Sequence, residues 1–311
     1  MPAKRGIQRH FLPLLAALGL WGCAPLPPFS SEADNTLRQA LDAGFHRESL
    51  ADYPGLALVY SGATLKKSLT SDPDFRILVF LEGDGAPWSG SGFRPPSDPT
   101  PRKSIVLALA IQEVHLRSLE PQRPDRPVVV VYLSRPCQFV THKALCSPEL
   151  WASERYGDLV LRLMDEAISQ IISSPSVSHG SQKTQPNRVS IYLIGHSGGG
   201  TMAALLAGAR ADAVCLITLA SPLDLAAWAR RQNLSPLAGS IDPARTPEKL
   251  AKTQSHHFLG GNDRLVDRPA LGVFADRQPG RTVDLMTGVS HSVGWERNWK
   301  AIRDKTCLNW D

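Results

Sequence analysis

Residues 190–208 read SIYLIGHSGGGTMAALLAG: an apolar run, one serine fenced by glycines, then a run of small apolar residues. The first part has strand character and the last has helix character, so the chain must turn sharply between them, at Ser197. Similar apolar runs recur on either side. GLALVYSG (55–62), RILVFLEG (76–83), PVVVVYLSR (127–135), AVCLITLAS (213–221), SHHFLGG (255–261) and TVDLMTG (282–288) are each bounded by turn formers. Most are apolar on both sides of the chain, the pattern of parallel strands covered on both faces. Helical patterns fall between them, at about 103–111, 153–173, 198–209, 266–276 and 294–305. This alternation predicts an α/β fold: a doubly wound, mainly parallel sheet with helices on both faces. The Pro- and Gly-rich stretch 83–101 and the polar stretch 173–187 read as loops.

At the turn, Gly195-His196-Ser197-Gly198-Gly199 fits G-x-S-x-G, in the strand-to-helix context that makes this motif a nucleophile elbow. Neighbours without side chains let strand and helix pass closely, and the hydroxyl stands beside the positive end of the helix dipole. A glycine-rich turn with an incidental serine, or one that cradles phosphate, gives the same pattern. A serine hydroxyl is a poor nucleophile at neutral pH, so it needs a base, and the base needs an orienting carboxylate. Asp263 in GGNDRLVD (260–267) and His291 in TGVSHSVGW (287–295) fall just past the ends of later strands. Parallel strands bring such ends to one edge. Asp224 is the alternative acid, one strand earlier, although SPLDLAAWARR (221–231) has the form of a capped helix start. His196 points away from its neighbour, and His256 and His257 sit inside a strand as packed or hydrogen-bonded groups.

FLEGDGAPW (80–88), YLSRPCQ (132–138), GHSGGG (195–200), GGND (260–263) and SHSVGW (290–295) resemble the α/β-hydrolase superfamily. More narrowly, from about residue 55 onward the chain is similar to bacterial lipoprotein-type α/β-hydrolases of unassigned substrate. The resemblance implies a serine hydrolase in which Ser197 is the nucleophile, Asp263 the acid and His291 the base. It implies no cofactor, and esterase-like chemistry on a small-molecule acyl substrate, with thioester and peptide bonds as alternatives. Oxyanion donors would be the N–H of Gly198 and, by analogy, that of Asp84. Glu82 and Asp84 depart from the pattern by bringing carboxylates near a developing anion, which assigns them a role in holding the loop. About 30 residues between Ser221 and Ser255 leave room for a short cap only. Trp88, Trp228 and Trp295 belong either to an acyl pocket or to the core. A different class of function stays open: a non-catalytic envelope lipoprotein that keeps the fold for binding.

The 311 residues, 42% hydrophobic and 20% charged, describe a globular chain. Lys4, Arg5 and Arg9 precede an apolar run from Phe11 to Trp21 that ends at Gly22-Cys23, the form of a secretory signal at 1–22. The run is too short to span a bilayer. LWGC (20–23) resembles a bacterial lipobox, with Trp21 departing from the usual small residue. Acylated Cys23 would anchor the chain to a membrane, and Ala24 after it resembles an outer-membrane sorting signal facing the periplasm; the alternative is a simple secretory signal with an unmodified cysteine. Residues 23–50 then form a tether and N-terminal segment, and 51–311 a single hydrolase domain. Removing the signal takes away three positive charges and lowers the formal net charge from +5 to +2. With basic residues scattered among acidic ones, a nucleic-acid partner is excluded. Four cysteines remain, an even number that suggests disulfides in an exported protein. Cys137 and Cys146 are the local pair, which leaves Cys215 with Cys307. No C-x-x-C or H-E-x-x-H occurs, so no metal site is expected. Cys23→Ser should abolish metabolic labelling with a palmitate analogue and release the chain from membranes; unchanged membrane association would contradict the anchor.

Overall fold

The apolar runs form one eight-stranded sheet: β1 (His46–Arg47), β2 (Ala57–Ser61), β3 (Asp74–Leu81), β4 (Val128–Leu133), β5 (Arg188–His196), β6 (Ala213–Leu219), β7 (Gln254–Gly260) and β8 (Arg281–Met286). The computed structural model describes residues 31–62, 74–86, 95–121, 123, 125–140, 145–178 and 188–310. The expected signal at 1–22 and Cys23 lie outside the described residues. Strand order is β1-β2-β4-β3-β5-β6-β7-β8. β2 is antiparallel to both β1 and β4, and every pair from β4 to β8 is parallel. This is the α/β-hydrolase fold.

Seven helices flank the sheet among the described residues: α1 (Ser31–Asp42), α2 (Ile105–Ser118), α3 (Asp158–Ser173), α4 (Pro175–Ser178), α5 (Gly198–Ala209), α6 (Leu225–Arg231) and α7 (Trp295–Arg303). None is long and apolar enough to cross a membrane. The central strands divide their side chains between two cores. Ile77, Val79, Leu81, Val129 and Val131 pack with Met164 and Ile168 of α3 and Met202 and Leu206 of α5. Leu78, Phe80, Val130 and Tyr132 pack with Leu37 of α1, Leu109 of α2 and Trp299 of α7. Successive residues of a strand point to opposite faces, so unbroken apolar runs are what two covered faces require. Each fully buried aliphatic or aromatic side chain stabilises the fold by about 1.5–3 kcal/mol.

Three local differences from the sequence reading have physical causes. The expected tether ends at Ser31, where α1 begins; Leu37 and Ala40, one turn apart, are buried, but two small apolar positions in a polar stretch give little periodic signal. The expected helix at 266–276 is instead a set of 3₁₀ turns over Arg268–Phe274, interrupted at Gly272, whose φ of 53° no regular helix adopts. The pattern at 103–111 is only the start of α2, which Ser104 caps by accepting from the N–H of Leu107 and which runs on to Ser118.

Both expected cysteine pairs are joined. Cys137 and Cys146 bridge a nine-residue separation with Cα atoms 5.7 Å apart. Cys215 of β6 and Cys307 beyond α7 bridge a 92-residue separation at 6.2 Å. Loop-closure entropy grows with the residues enclosed, giving roughly 3 kcal/mol for short loops and about 4–5 kcal/mol near a hundred residues. Replacing Cys215 and Cys307 together by Ala should therefore lower the denaturation midpoint more than replacing Cys137 and Cys146. Peptide maps run without reductant should show both linkages; free thiols at all four positions would contradict the assignment.

Candidate active site

Ser197 links β5 to α5 with φ 54° and ψ −129°, a conformation that costs a residue with a side chain on the order of 1–3 kcal/mol. Neighbouring hydrogen bonds hold it there: its N–H donates to Leu219 O of β6 at 2.8 Å, and its carbonyl accepts from Gly200 N at 3.0 Å. The turn is too tight for a side chain at the nearby glycines. A Cβ at Gly195 would strike the backbone of Gly199 and Gly200, and a Cβ at Gly198 would strike the carboxylate of Asp84.

His291 lies in the loop between β8 and α7, and its Nε2 is 3.0 Å from Ser197 Oγ. Its Nδ1 is 2.9 Å from Oδ2 of Asp263, which follows β7. The Asp263 side chain is fully shielded from solvent. Its other oxygen accepts from the N–H groups of Leu265 at 2.7 Å and Val266 at 3.1 Å. Burial opposes the charge on Asp263, but the hydrogen bond and charge of His291 and these two N–H groups bring its pKa below the usual carboxylate value. A carboxylate on Nδ1 fixes the tautomer that leaves Nε2 free to accept from the serine hydroxyl. Thus Ser197, His291 and Asp263 are assembled into one hydrogen-bonded chain. Asp224 is engaged elsewhere, capping α6 by accepting from Ala227 N at 2.7 Å.

The His291 backbone is also gripped. Its carbonyl accepts from His196 Nε2 at 2.6 Å and from Trp295 Nε1 at 2.9 Å. A carbonyl can only accept, so Nε2 of His196 carries the proton. Burial, and next the charge of His291, hold the His196 pKa down to about 3. Trp295 is fully buried and belongs to the core, not to an acyl pocket. Trp228 donates to Leu265 O at 2.9 Å, and Trp88 lies outside the described residues.

The Glu82–Gly85 loop runs alongside the serine: a Cβ on Gly83 would sit 3.8 Å from the Cβ of Ser197. Among the described residues the N–H groups of Asp84 and Gly198 have no acceptor. Both carboxylates of the loop are committed to its anchoring. Glu82 accepts from Gly83 N and Tyr132 OH, each at 2.8 Å, and from Ser104 Oγ; burial nonetheless raises its pKa. Asp84 accepts from Arg135 Nη1 at 3.0 Å, Arg155 Nη1 at 3.1 Å and Tyr156 OH at 2.6 Å. Arg135 Nη1 also lies 3.4 Å from Gly198 O, so one guanidinium spans the loop and the first residue of α5. Sequence reasoning quoted Arg135 within YLSRPCQ without giving it a task, and it missed Arg155, Tyr156 and the grip of His196 and Trp295 on His291. Their partners come from segments dozens of residues away, which a linear reading cannot pair. Among the described residues no group of His, Cys, Asp and Glu is arranged to hold a metal ion.

Compared with known proteins, the chain matches no family model and no curated protein. Among solved structures it is similar to a puromycin-hydrolyzing peptidase from Mycobacterium tuberculosis, at 15% identity and a TM-score of 0.50, covering 84% of this chain and 37% of that one. It is also similar to Est1E from Butyrivibrio proteoclasticus, at 13% identity and a TM-score of 0.46, over 84% of this chain and 96% of that one. A third is the carboxylesterase Cest-2923 from Lactobacillus plantarum WCFS1, at 13% identity and a TM-score of 0.45, over 79% and 83%. At such identities the likeness is one of fold.

Two buried histidines, His196 and His257, set a pH dependence of stability. His257, whose Nδ1 pairs with Thr218 Oγ1 at 2.8 Å, is like His196 lowered to about 3, by burial first. An unfolded chain would protonate both near pH ~6.5. Below that value the unfolded state gains protons that the folded state refuses, so stability present above it is lost as pH falls toward about 3. Each histidine contributes a slope of about 1.4 kcal/mol per pH unit within that window. Denaturant titrations from pH ~7 to ~5 should show this loss, and His257→Gln should make it shallower; a flat profile would contradict the neutral, buried assignment.

Proposed function

We propose that the chain is an exported serine hydrolase that cleaves carboxylic esters through an acyl-enzyme. The observation that carries this reading is the continuous chain from Ser197 Oγ through His291 to the shielded carboxylate of Asp263. Neutral His291 takes the Ser197 proton at Nε2 as Oγ attacks the acyl carbon, and the N–H groups of Gly198 and Asp84 receive the oxyanion. Collapse of the tetrahedral species breaks the bond to the alkoxy group, which leaves with the proton from His291. Water then gives a proton to His291 and attacks the acyl-enzyme, releasing the acid and restoring the serine. Asp263 keeps the imidazole in the working tautomer and stabilises the imidazolium. The same constellation serves thioesters and peptide bonds. The N-terminal stretch supports location at the outer membrane, facing the periplasm, through acylated Cys23.

A fluorophosphonate probe followed by peptide mass spectrometry tests the reading. Wild type should carry the adduct on Ser197, and Ser197→Ala should carry none. Hydrolysis of a panel of short-chain esters should fall about equally in Ser197→Ala and His291→Ala, with little further loss in the double variant, because the two act as a unit. Asp263→Asn should fold normally yet lose roughly 10⁴-fold in turnover. A correctly folded wild type that takes no probe and hydrolyses neither ester, thioester nor aminoacyl substrate would instead make the chain a binding protein on a hydrolase-like fold.

A further inference from the structure

At the end of the sheet where β3 and β4 begin, opposite the edge that carries Ser197, lies a cavity of about 490 Å³, a size typical of small-molecule sites. Arg76 is the third residue of β3, and at about 3.3 Å per residue the cavity stands roughly 20 Å from the Glu82–Gly85 loop. Arg76, Arg117, Arg123, Arg126, Arg303 and Trp310 line it, with Val114 and Val130 supplying apolar wall. The arginines come from β3, α2, the segment before β4, and α7. Scattered in sequence, they converge in space.

Charge divides these five groups into two sets. Arg117 and Arg303 are balanced by Glu113 and Glu120: Arg117 reaches them at 2.7 and 2.9 Å, and Arg303 reaches Glu113 at 3.1 Å and also pairs with Glu120. Arg123 and Arg126 share one carboxylate, Asp125, at 3.1 and 3.8 Å. Among the described residues the Arg76 guanidinium has no carboxylate within salt-bridge distance and no hydrogen-bond acceptor, the residue's backbone N–H alone donating, to Pro127 O. It is held only by the face of Trp310, with its guanidinium carbon 4.1 Å from the ring centroid, while Arg117 lies 3.8 Å from the same ring. Asp74 attracts Arg76 from farther away and stands opposite Arg188 in the β3–β5 register. Asp304, also on the lining, is paired with Lys300 at 2.6 Å. Among the described residues three guanidiniums therefore face one carboxylate, a local surplus of two positive charges. Half-burial lowers the pKa of Arg76, and the charges of Arg126 and Arg117 push it the same way, against the pull of Tyr192 and Asp74.

The geometry points to a second ligand site here, one that takes a phosphate monoester, with the phosphate on Arg76 and Arg126 and the apolar body of the ligand against Trp310 and Val130. A planar carboxylate is filled by a single guanidinium fork, whereas phosphate offers oxygens in several directions and accepts from guanidiniums that approach from different segments. A phosphate monoester carries about −1.5 to −2 charges near neutral pH, which matches the surplus. The apolar wall of Val114 and Val130, with the edge of Trp310, favours an ester over free phosphate. The site is independent of the catalytic reading, because none of its residues touches Ser197, His291 or Asp263.

Isothermal titration of the full chain with phenyl phosphate and with inorganic phosphate tests this. Wild type should bind phenyl phosphate more tightly than inorganic phosphate, and Trp310→Leu should remove that preference. Arg76→Gln should weaken phenyl phosphate by about tenfold or more, the scale of one charge-assisted hydrogen bond. Arg126→Gln, on an exposed segment where folding is not at issue, should weaken it as well. Arg268→Gln, which removes a surface charge elsewhere, should bind like wild type. Co-sedimentation with phosphatidylcholine vesicles containing phosphatidic acid separates two sources of the group: binding lost in Arg76→Gln assigns a lipid headgroup, and vesicle binding that is absent or indifferent to Arg76, alongside intact phenyl phosphate binding, assigns a soluble ester. No binding by wild type, equal affinity in folded Arg76→Gln and Arg126→Gln, or an equal loss in Arg268→Gln would overturn the site.

Discussion

At Ser197 the backbone takes φ 54° and ψ −129°, and the rest of the molecule is arranged so that it stays there. β5 is hydrogen-bonded on both sides, to β3 and to β6, through its last residues. The N–H of Ser197 continues the ladder by donating to Leu219, and α5 departs at once. A turn this sharp removes every option but glycine at 195 and 199, because the space a side chain would need holds the backbone of Gly199 and Gly200 or of Leu81 and Glu82, and at Gly198 it holds the Asp84 carboxylate. Its result is a hydroxyl projected past the sheet edge, where the loops after β7 and β8 deliver Asp263 and His291. The strain belongs to the same arrangement as the exposure of the hydroxyl.

Holding the two adjoining loops is a separate physical problem, solved with buried polar groups. The His291 loop is fixed by its carbonyl, which accepts from two rings that lie on opposite sides of it in sequence, His196 and Trp295. The Glu82–Gly85 loop is fixed by its carboxylates, Glu82 and Asp84, each of which takes three donors. Two guanidiniums against one carboxylate leave the Asp84 cluster positive on balance, and this charge lies beside the N-terminus of α5. On the proposed reading that is the sign required where an oxyanion forms. Removing Asp84 would leave both buried guanidiniums without their carboxylate, and breaking a buried pair in this way typically costs about 3–5 kcal/mol. The carboxylates that looked misplaced beside an anion site thus act as the anchors that keep its N–H groups in position.

Much of this was legible in the chain itself. Seven of the eight strands lie in runs closed by turn formers, and those at the centre of the sheet are mostly apolar because they are buried on both faces. G-x-S-x-G identifies the turn because a Cβ at either of its glycines, 195 or 199, would strike backbone. Asp263 and His291 could be placed without any distance, since parallel strands send all their C-terminal ends to one edge. What stayed hidden depends on pairing across the sequence. Nothing in YLSRPCQ shows that Arg135 will meet Asp84, 51 residues away. The two-residue β1 and the mostly polar α1 bury too few side chains to mark a period. Basic residues that look evenly mixed with acidic ones in the sequence gather, once folded, around Trp310 with their charges only partly answered.

The most direct test of the central claim is the crystal structure of a phosphonylated chain. A phosphonate on Ser197 Oγ stands in for the tetrahedral intermediate, with its phosphoryl oxygen in place of the oxyanion. The account predicts that this oxygen lies about 2.7–3.1 Å from the N–H groups of both Gly198 and Asp84, with His291 Nε2 still within hydrogen-bond reach of Oγ. An adduct whose phosphoryl oxygen points into solvent, or a Glu82–Gly85 loop displaced from Arg135, would contradict it.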